Sequence, residues 1–154
     1  MARDERDTAA RREAAARYLR AVRDARRQAE ALAAEADEVR RVAAGLTGID
    51  YSRDAVDAAP TDSRVPDAVA RLVELAVLSD AGSARYASLL AECGRCLDAM
   101  GGRGAAVLRM RWLAGLTLIE IGARPGWAYA RKYLSDLHAA ALDDFYDYLP
   151  DGWS

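Results

Sequence analysis

The sequence predicts an all-α protein: a long antiparallel helical hairpin, coiled-coil-like, followed by a compact three-helix head. Three observations carry that expectation. The 154 residues are 52% hydrophobic but only 7% aromatic, and much of the apolar share is alanine. Alanine favours helix while contributing little apolar area, and the runs of Val, Ile and Thr that strands require are missing. Residues 5–45 contain no proline and no glycine before Gly45. Finally, apolar residues recur at alternating steps of three and four, the helical signature.

The first helix covers about 5–45. Its seam reads Tyr18, Val22, Ala25, Ala29, Leu32, Ala36, Val39, Ala43 and Leu46, a heptad pattern. The remaining surface is Arg, Glu and Asp, many at i,i+3 or i,i+4 spacing. An alanine-rich seam permits close helix approach but adheres weakly, so this helix needs a partner. Gly45, Gly48, Asp50, Ser52 and Pro60 mark a linker over about 46–64, in which Leu46, Ile49, Tyr51 and Val56 could pack back on the helices. Thr61-Asp62-Ser63 ahead of Val65-Pro66-Asp67 signals a helix start.

The second long helix is expected from about Val65 to Met100. Its seam is read as Val65, Val69, Leu72, Ala76, Ser79, Ser83, Tyr86, Leu90, Cys93, Leu97 and Met100, with Val73 and Val77 widening the stripe. Gly82 and Gly94 each cost about 1 kcal/mol against alanine, and Gly82 is a point where the helix could bend. Residues 1–100 thus form the hairpin.

Gly101-Gly102-Arg103-Gly104 reads as a hinge. A short helix, Ala105 to Ala114, ends at Gly115. Thr117 and Glu120 form a capping box that opens a second short helix through Ile121. Arg124-Pro125-Gly126 forms a turn, and a third helix begins near Ala128 and runs to about Leu142. Val107, Leu108, Leu113, Leu118, Ile121, Leu134 and Leu137 supply a minimal core. Three short helices with a tight turn before the last have the layout of a helix-turn-helix over 101–145. The outward face of the third helix would carry Arg131, Lys132, Ser135 and His138, with Tyr129 at its start and Arg124 in the turn. Such groups neutralise phosphates or reach base edges.

Charge distribution agrees. Net charge is −2 overall, but residues 100–142 carry 6 basic and 2 acidic side chains, whereas 143–154 carry 0 and 4. The tail, 146–154, mixes acids with aromatics; it could pack on the hairpin, bind a partner, or screen the basic helix.

Other chemistry finds little support. Cys93-Gly94-Arg95-Cys96 is formally a CxxC, but a zinc site needs about four ligands, there are 2 cysteines and 1 histidine in all, and Cys93 falls on the apolar seam. The glycine-rich stretch lacks the Lys-Ser/Thr end of a phosphate loop, and nothing accompanies His138 to build a nucleophile and base. No enzyme activity, cofactor or metal is expected. No apolar run approaches the ~20 residues of a membrane span, the N-terminus is charged, and cytoplasmic residence is expected.

The run Val107-Leu108-Arg109-Met110-Arg111-Trp112-Leu113-Ala114-Gly115-Leu116-Thr117-Leu118-Ile119-Glu120-Ile121, with Leu137-His138-Ala139-Ala140-Ala141 downstream, resembles the helix-turn-helix of the fourth region of sigma-70-type sigma factors. Tyr18 through Leu46-Thr47, Ala59-Pro60-Thr61-Asp62 and Val65-Pro66-Asp67-Ala68-Val69 resemble the RinA/ArpU-type phage transcriptional regulators, which place a helical hairpin before such a head. The turn departs from that pattern, being about two residues longer between Ile121 and Leu137, and the serine that caps the family's recognition helix is replaced by alanine.

The resemblance implies a phage or prophage regulator that binds double-stranded DNA through a recognition helix at about 128–142. It also implies a homodimer or higher homo-oligomer through the hairpin, and it would allow RNA polymerase as a partner. Two other readings fit the same residues: a protein-interaction module that keeps the fold without strong DNA binding, and a DNA-packaging recognition subunit.

Overall fold

The computed structural model describes residues 2–47 and 64–154, and every regular element among them is helical. They are α1 (Ala2–Thr47), α2 (Arg64–Met100), α3 (Gly102–Leu108), α4 (Leu118–Gly122) and α5 (Arg131–Phe145). α3 continues as one π-helical turn, Arg109–Leu113, and α5 ends in a 3-10 turn, Tyr146–Tyr148. None of the described helices is long and apolar enough to cross a membrane. The readings placed on Ile49, Tyr51, Val56 and the Ser63 cap lie outside the described residues.

The contacts divide the chain into two compact units, Arg26–Tyr86 on one hand and Met1–Ala25 with Ala87–Ser154 on the other. The boundary therefore does not fall at the glycines of 101–104. In the first of these units α1 is held by its alanine content and by short-range pairs such as Arg26–Glu30 at 2.8 Å and Arg40–Asp37 at 2.6 Å. Ala29, Ala36 and Leu75 are its buried apolar side chains. Arg71 of α2 pairs with Glu35 of α1 at 2.7 Å and with Glu74 at 3.0 Å. Gly82 lies on this contact: a Cβ there would stand 3.1 Å from the Leu32 side chain and 3.8 Å from the Ala29 backbone. α2 runs unbroken through Gly82, so that glycine serves close approach and does not interrupt the helix.

The α1 seam is as expected, with Tyr18, Val22, Ala25, Ala29 and Ala36 buried and Leu32, Val39 and Ala43 half-buried. The α2 seam needs correction. The positions turned inward are Ala68, Leu72, Leu75, Ser79, Gly82, Tyr86, Leu89, Cys93 and Leu97, whereas Val69, Ala76 and Ser83 are exposed. The steps of three and four run in the opposite order to the one read from the sequence. Val73 and Val77, expected to widen the buried stripe, are 62% and 64% exposed. α2 has two apolar faces, and Gly82 opposite Leu32 selects the one with less bulk.

The second unit is built around Tyr18, Leu19, Leu97, Val107, Leu108, Ile121, Leu134 and Phe145, all essentially inaccessible to solvent. The Tyr18 hydroxyl donates to Glu92 at 2.9 Å, and burial followed by that carboxylate raises its pKa far above the ordinary tyrosine range. The Tyr18 ring meets Phe145 at 6.1 Å and Trp153, edge-on, at 5.1 Å. Arg11 binds Asp143 and Asp147 at 2.9 Å each, and its guanidinium lies 4.6 Å from the Tyr146 ring centre. The C-terminal residues therefore pack against the start of α1, where Asp143 and Asp147 are engaged.

Only Gly101 and Gly102 of the expected hinge have positive φ, at 67° and 72°. Gly104 belongs to α3, where a Cβ would come within 3.4 Å of the Ala141 methyl; its role is contact between α3 and α5. Leu113, Leu118 and Leu137, assigned to the core from sequence, are half-buried.

Candidate nucleic-acid interface

The chain turns where α3 and its π-helical extension stop. Gly115 adopts φ 75°, and the Leu116 N–H reaches back to the Met110 carbonyl at 2.9 Å, closing the helix end. The Thr117 hydroxyl then accepts from the Glu120 N–H at 3.2 Å, and the Glu120 carboxylate accepts from the Thr117 N–H at 2.7 Å. This is the expected capping box, and the Thr117 backbone N–H, followed by the Thr117 side chain, holds the Glu120 carboxyl below its ordinary pKa. α4 is only Leu118–Gly122, anchored by buried Ile121. Gly122 lets it approach α5, since a Cβ there would sit 3.2 Å from the Leu134 side chain.

Arg124-Pro125-Gly126-Trp127 forms a turn closed by a Trp127 N–H to Arg124 carbonyl bond of 3.0 Å, with Gly126 at φ 79°. Proline second and a positive-φ glycine third is the type II arrangement. The chain then has no regular structure up to Ala130, with the Tyr129 N–H bonded to the Trp127 carbonyl at 2.7 Å, so α5 starts at Arg131 and not near Ala128. This stretch is stabilised from outside: the Arg103 guanidinium lies 5.2 Å from the Trp127 ring centre and 5.1 Å from that of Tyr129, and donates to the Tyr129 hydroxyl. Tyr129 also meets Tyr133 at 4.8 Å. Ala130 provides no side-chain cap for α5, in line with the loss of the capping serine.

The six residues singled out from sequence separate into two groups. Arg124, Arg131, Lys132 and Ser135 are exposed. The Lys132 side chain is 90% exposed and makes a 3.5 Å contact to Asp136 one turn on. Tyr129 is committed to the Arg103 stack, though it stays 37% exposed. His138 does not lie on the outward face. It is half-buried, and its Nε2 accepts a 3.0 Å hydrogen bond from the Trp112 indole, the two rings lying 6.2 Å apart. Burial, then the nearby Arg111 charge, lowers its pKa. Its neutral form therefore carries the proton on Nδ1. The Arg23 guanidinium of α1 lies 5.1 Å from the Trp112 ring centre.

Sequence reasoning missed several residues. Arg103 was assigned to a hinge, yet it braces the turn. Asp136 pairs with Lys132 on the same face at 3.5 Å. Ile119 is 69% exposed; it lines an open cleft of about 430 Å³ with Arg111, Thr117, Leu118, Arg131 and His138. The helical pattern marks Asp136 as a neighbour of Lys132 at i,i+4, but no sequence signal connects Arg103 to Tyr129.

The available chemistry is recognition. Arg124, Arg131 and Lys132 offer cationic donors around the start of α5, and Ser135 adds a hydroxyl one turn further. At the other end of α5, Asp143 is bound by Arg11. Burial pushes the Cys93 thiol up to about 12 and raises Cys96 as well. Among the described residues no His/Cys/Asp/Glu group is arranged to hold a metal ion. No family model, curated protein sequence or solved structure matches the chain.

Proposed function

We propose that the protein is a double-stranded-DNA-binding transcriptional regulator of phage or prophage type, in which α1 and α2 form an antiparallel hairpin and α3–α5 form a helix-turn-helix head. The observation that carries this reading is the charge layout of α5. Its first two turns expose Arg131, Lys132 and Ser135 with Asp136 as their one acid, and Arg124 is exposed in the turn ahead of them, whereas Asp143 and the following Asp147 are neutralised by Arg11. The N-terminal end of α5, the end that enters the major groove in helix-turn-helix proteins, is thus its cationic end. The antiparallel hairpin is supported by contacts that descend along α2 as they climb α1: Tyr18 with Glu92, Leu32 with Gly82, Glu35 with Arg71.

A protein-interaction role for the same head is favoured by one observation, the exposed Ile119 in a cleft edged by Arg111 and Arg131. Fluorescence anisotropy with a labelled random duplex separates the two. The DNA reading expects binding at low salt that is weakened in Arg131→Ala/Lys132→Ala and unchanged in Ile119→Ala. Absence of binding at low salt, or equal binding by the double variant, overturns it.

A further inference from the structure

The fold leaves two arginines of the head without an acid. Among the described residues neither Arg111 nor Arg131 has an ion-pair partner. The nearest acids along the chain, Asp98, Glu120 and Asp136, are engaged by Arg109, by the Thr117 N–H and by Lys132. Arg111 donates from Nη1 to the Leu116 carbonyl at 3.3 Å, a neutral acceptor that leaves its charge uncancelled. Both arginines line the open cleft of about 430 Å³, together with Thr117, Leu118, Ile119 and His138. His138 brings a spare donor. Its Nε2 is taken by the Trp112 indole at 3.0 Å, so the neutral ring carries its proton on Nδ1. That N–H has no partner among the described residues, where the buried side-chain atoms left unpaired are Arg12 Nε and Arg23 Nε; Nδ1 is therefore open to solvent. The Thr117 hydroxyl accepts from the Glu120 N–H and keeps its own proton to donate. The rest of the lining is apolar, with Ile119 69% exposed.

We propose that this cleft binds a small phosphate monoester carrying an apolar group, and that the bound ligand competes with DNA for Arg131. Two uncancelled guanidiniums match a dianion, and a phosphate monoester carries a charge of about −2 at neutral pH; a carboxylate would cancel only one of them. Guanidinium and phosphate pair through parallel charge-assisted hydrogen bonds, and the Nδ1–H and the Thr117 hydroxyl are left for further phosphate oxygens. Leu118 and Ile119 supply a wall for the apolar body, in a cleft whose volume falls in the range of small-molecule sites, about 300–1,000 Å³. Arg131 also belongs to the exposed start of α5, and it cannot neutralise the ligand and a DNA phosphate together. Ligand and duplex therefore weaken each other by the same factor. The competition rests on the DNA reading; the cleft itself does not.

Phenyl phosphate is the probe. The chain has one histidine, so its ring signals in proton NMR report the cleft without overlap. The expected result is a saturable shift of those signals, with Kd near or below about 1 mM, and tighter than for inorganic phosphate because of the apolar wall. Arg111→Gln and Arg131→Ala each weaken binding at least about ten-fold, the effect of a hydrogen bond to a charged group. Ile119→Ser, at an exposed site, keeps inorganic phosphate binding and removes most of the preference for the phenyl ester. In duplex anisotropy at matched ionic strength, saturating phenyl phosphate lowers the log–log salt slope from about −2.7 to about −1.8, one phosphate contact fewer. Arg111→Gln binds duplex like the wild type and loses that response. No saturable shift up to about 20 mM, or a shift unchanged in both arginine variants, overturns the cleft assignment. Duplex binding indifferent to saturating ligand overturns the competition. Absence of duplex binding by the wild type overturns the DNA reading and the competition with it, while the histidine titration decides the cleft by itself.

Discussion

Acidification should loosen the contact between α5 and the end of α3, through His138 alone. The chain has one histidine, and its Nε2 accepts the indole proton of Trp112 at 3.0 Å. Burial and the charge of Arg111 favour the neutral ring, so the folded-state pKa lies below the ordinary 6.5. On lowering the pH the unfolded chain takes up the proton first. The contribution of this site is therefore complete above about pH 6.5, declines as the pH falls from there through the folded value, and is level below it. Protonation sets an imidazolium N–H against the indole N–H and removes one hydrogen bond, a loss of about 1 kcal/mol. In a chain of this length that corresponds to a fall of roughly 2–4 °C in Tm. Urea unfolding followed by circular dichroism at pH 7.5 and at about pH 5.5, above the carboxylate range, measures it. His138→Phe removes the titrating group, and its stability should be flat over the same interval. A wild-type stability that does not change between the two pH values would refute the reasoning, as would a His138→Phe variant with the wild-type slope.

Two further stability predictions follow from the packing. Thr117→Ala removes the hydroxyl that accepts from Glu120 and should cost about 1 kcal/mol; because α4 is so short, the loss should appear as faster amide exchange confined to 118–122. Phe145, fully buried against Tyr18, should cost about 3–5 kcal/mol when changed to Ala. Tyr148→Ala, at a site 40% exposed, should cost well under 1 kcal/mol. Urea midpoints of the two variants, compared with wild type, check the pair.

The elements were legible in the sequence wherever local chemistry dictated them. The α1 seam, the Gly115 stop, the Thr117–Glu120 box and the uncapped start of α5 all rest on propensity, backbone conformation and capping, which a sequence displays. The α2 seam was not legible, because Val69, Val73 and Val77 form as good a stripe as Ala68, Leu72 and Leu75. The choice between them is made by close approach at Gly82, which is visible only with α1 in place. The start of α5 was read about three residues early because the irregular Trp127–Ala130 stretch is braced by Arg103, more than twenty residues upstream. His138 was read as outward-facing because helical spacing gives an angle and not the identity of the neighbour, and only the fold reveals Trp112. Arg124, Arg131, Lys132 and Ser135 were legible as a group because exposed polar residues need no partner to fix them.

The central claim, DNA recognition by the start of α5, is tested most directly by the salt dependence of duplex binding. Arg124, Arg131 and Lys132 would neutralise about three phosphates per head, for a log–log slope of about −2.7. Raising the salt from about 50 to about 200 mM should then weaken binding about 40-fold. With Arg131→Ala/Lys132→Ala the slope should fall to about −0.9, and the same change in salt should cost only three- to four-fold. Binding with a slope near zero, or a double variant that keeps the wild-type slope, would contradict the account.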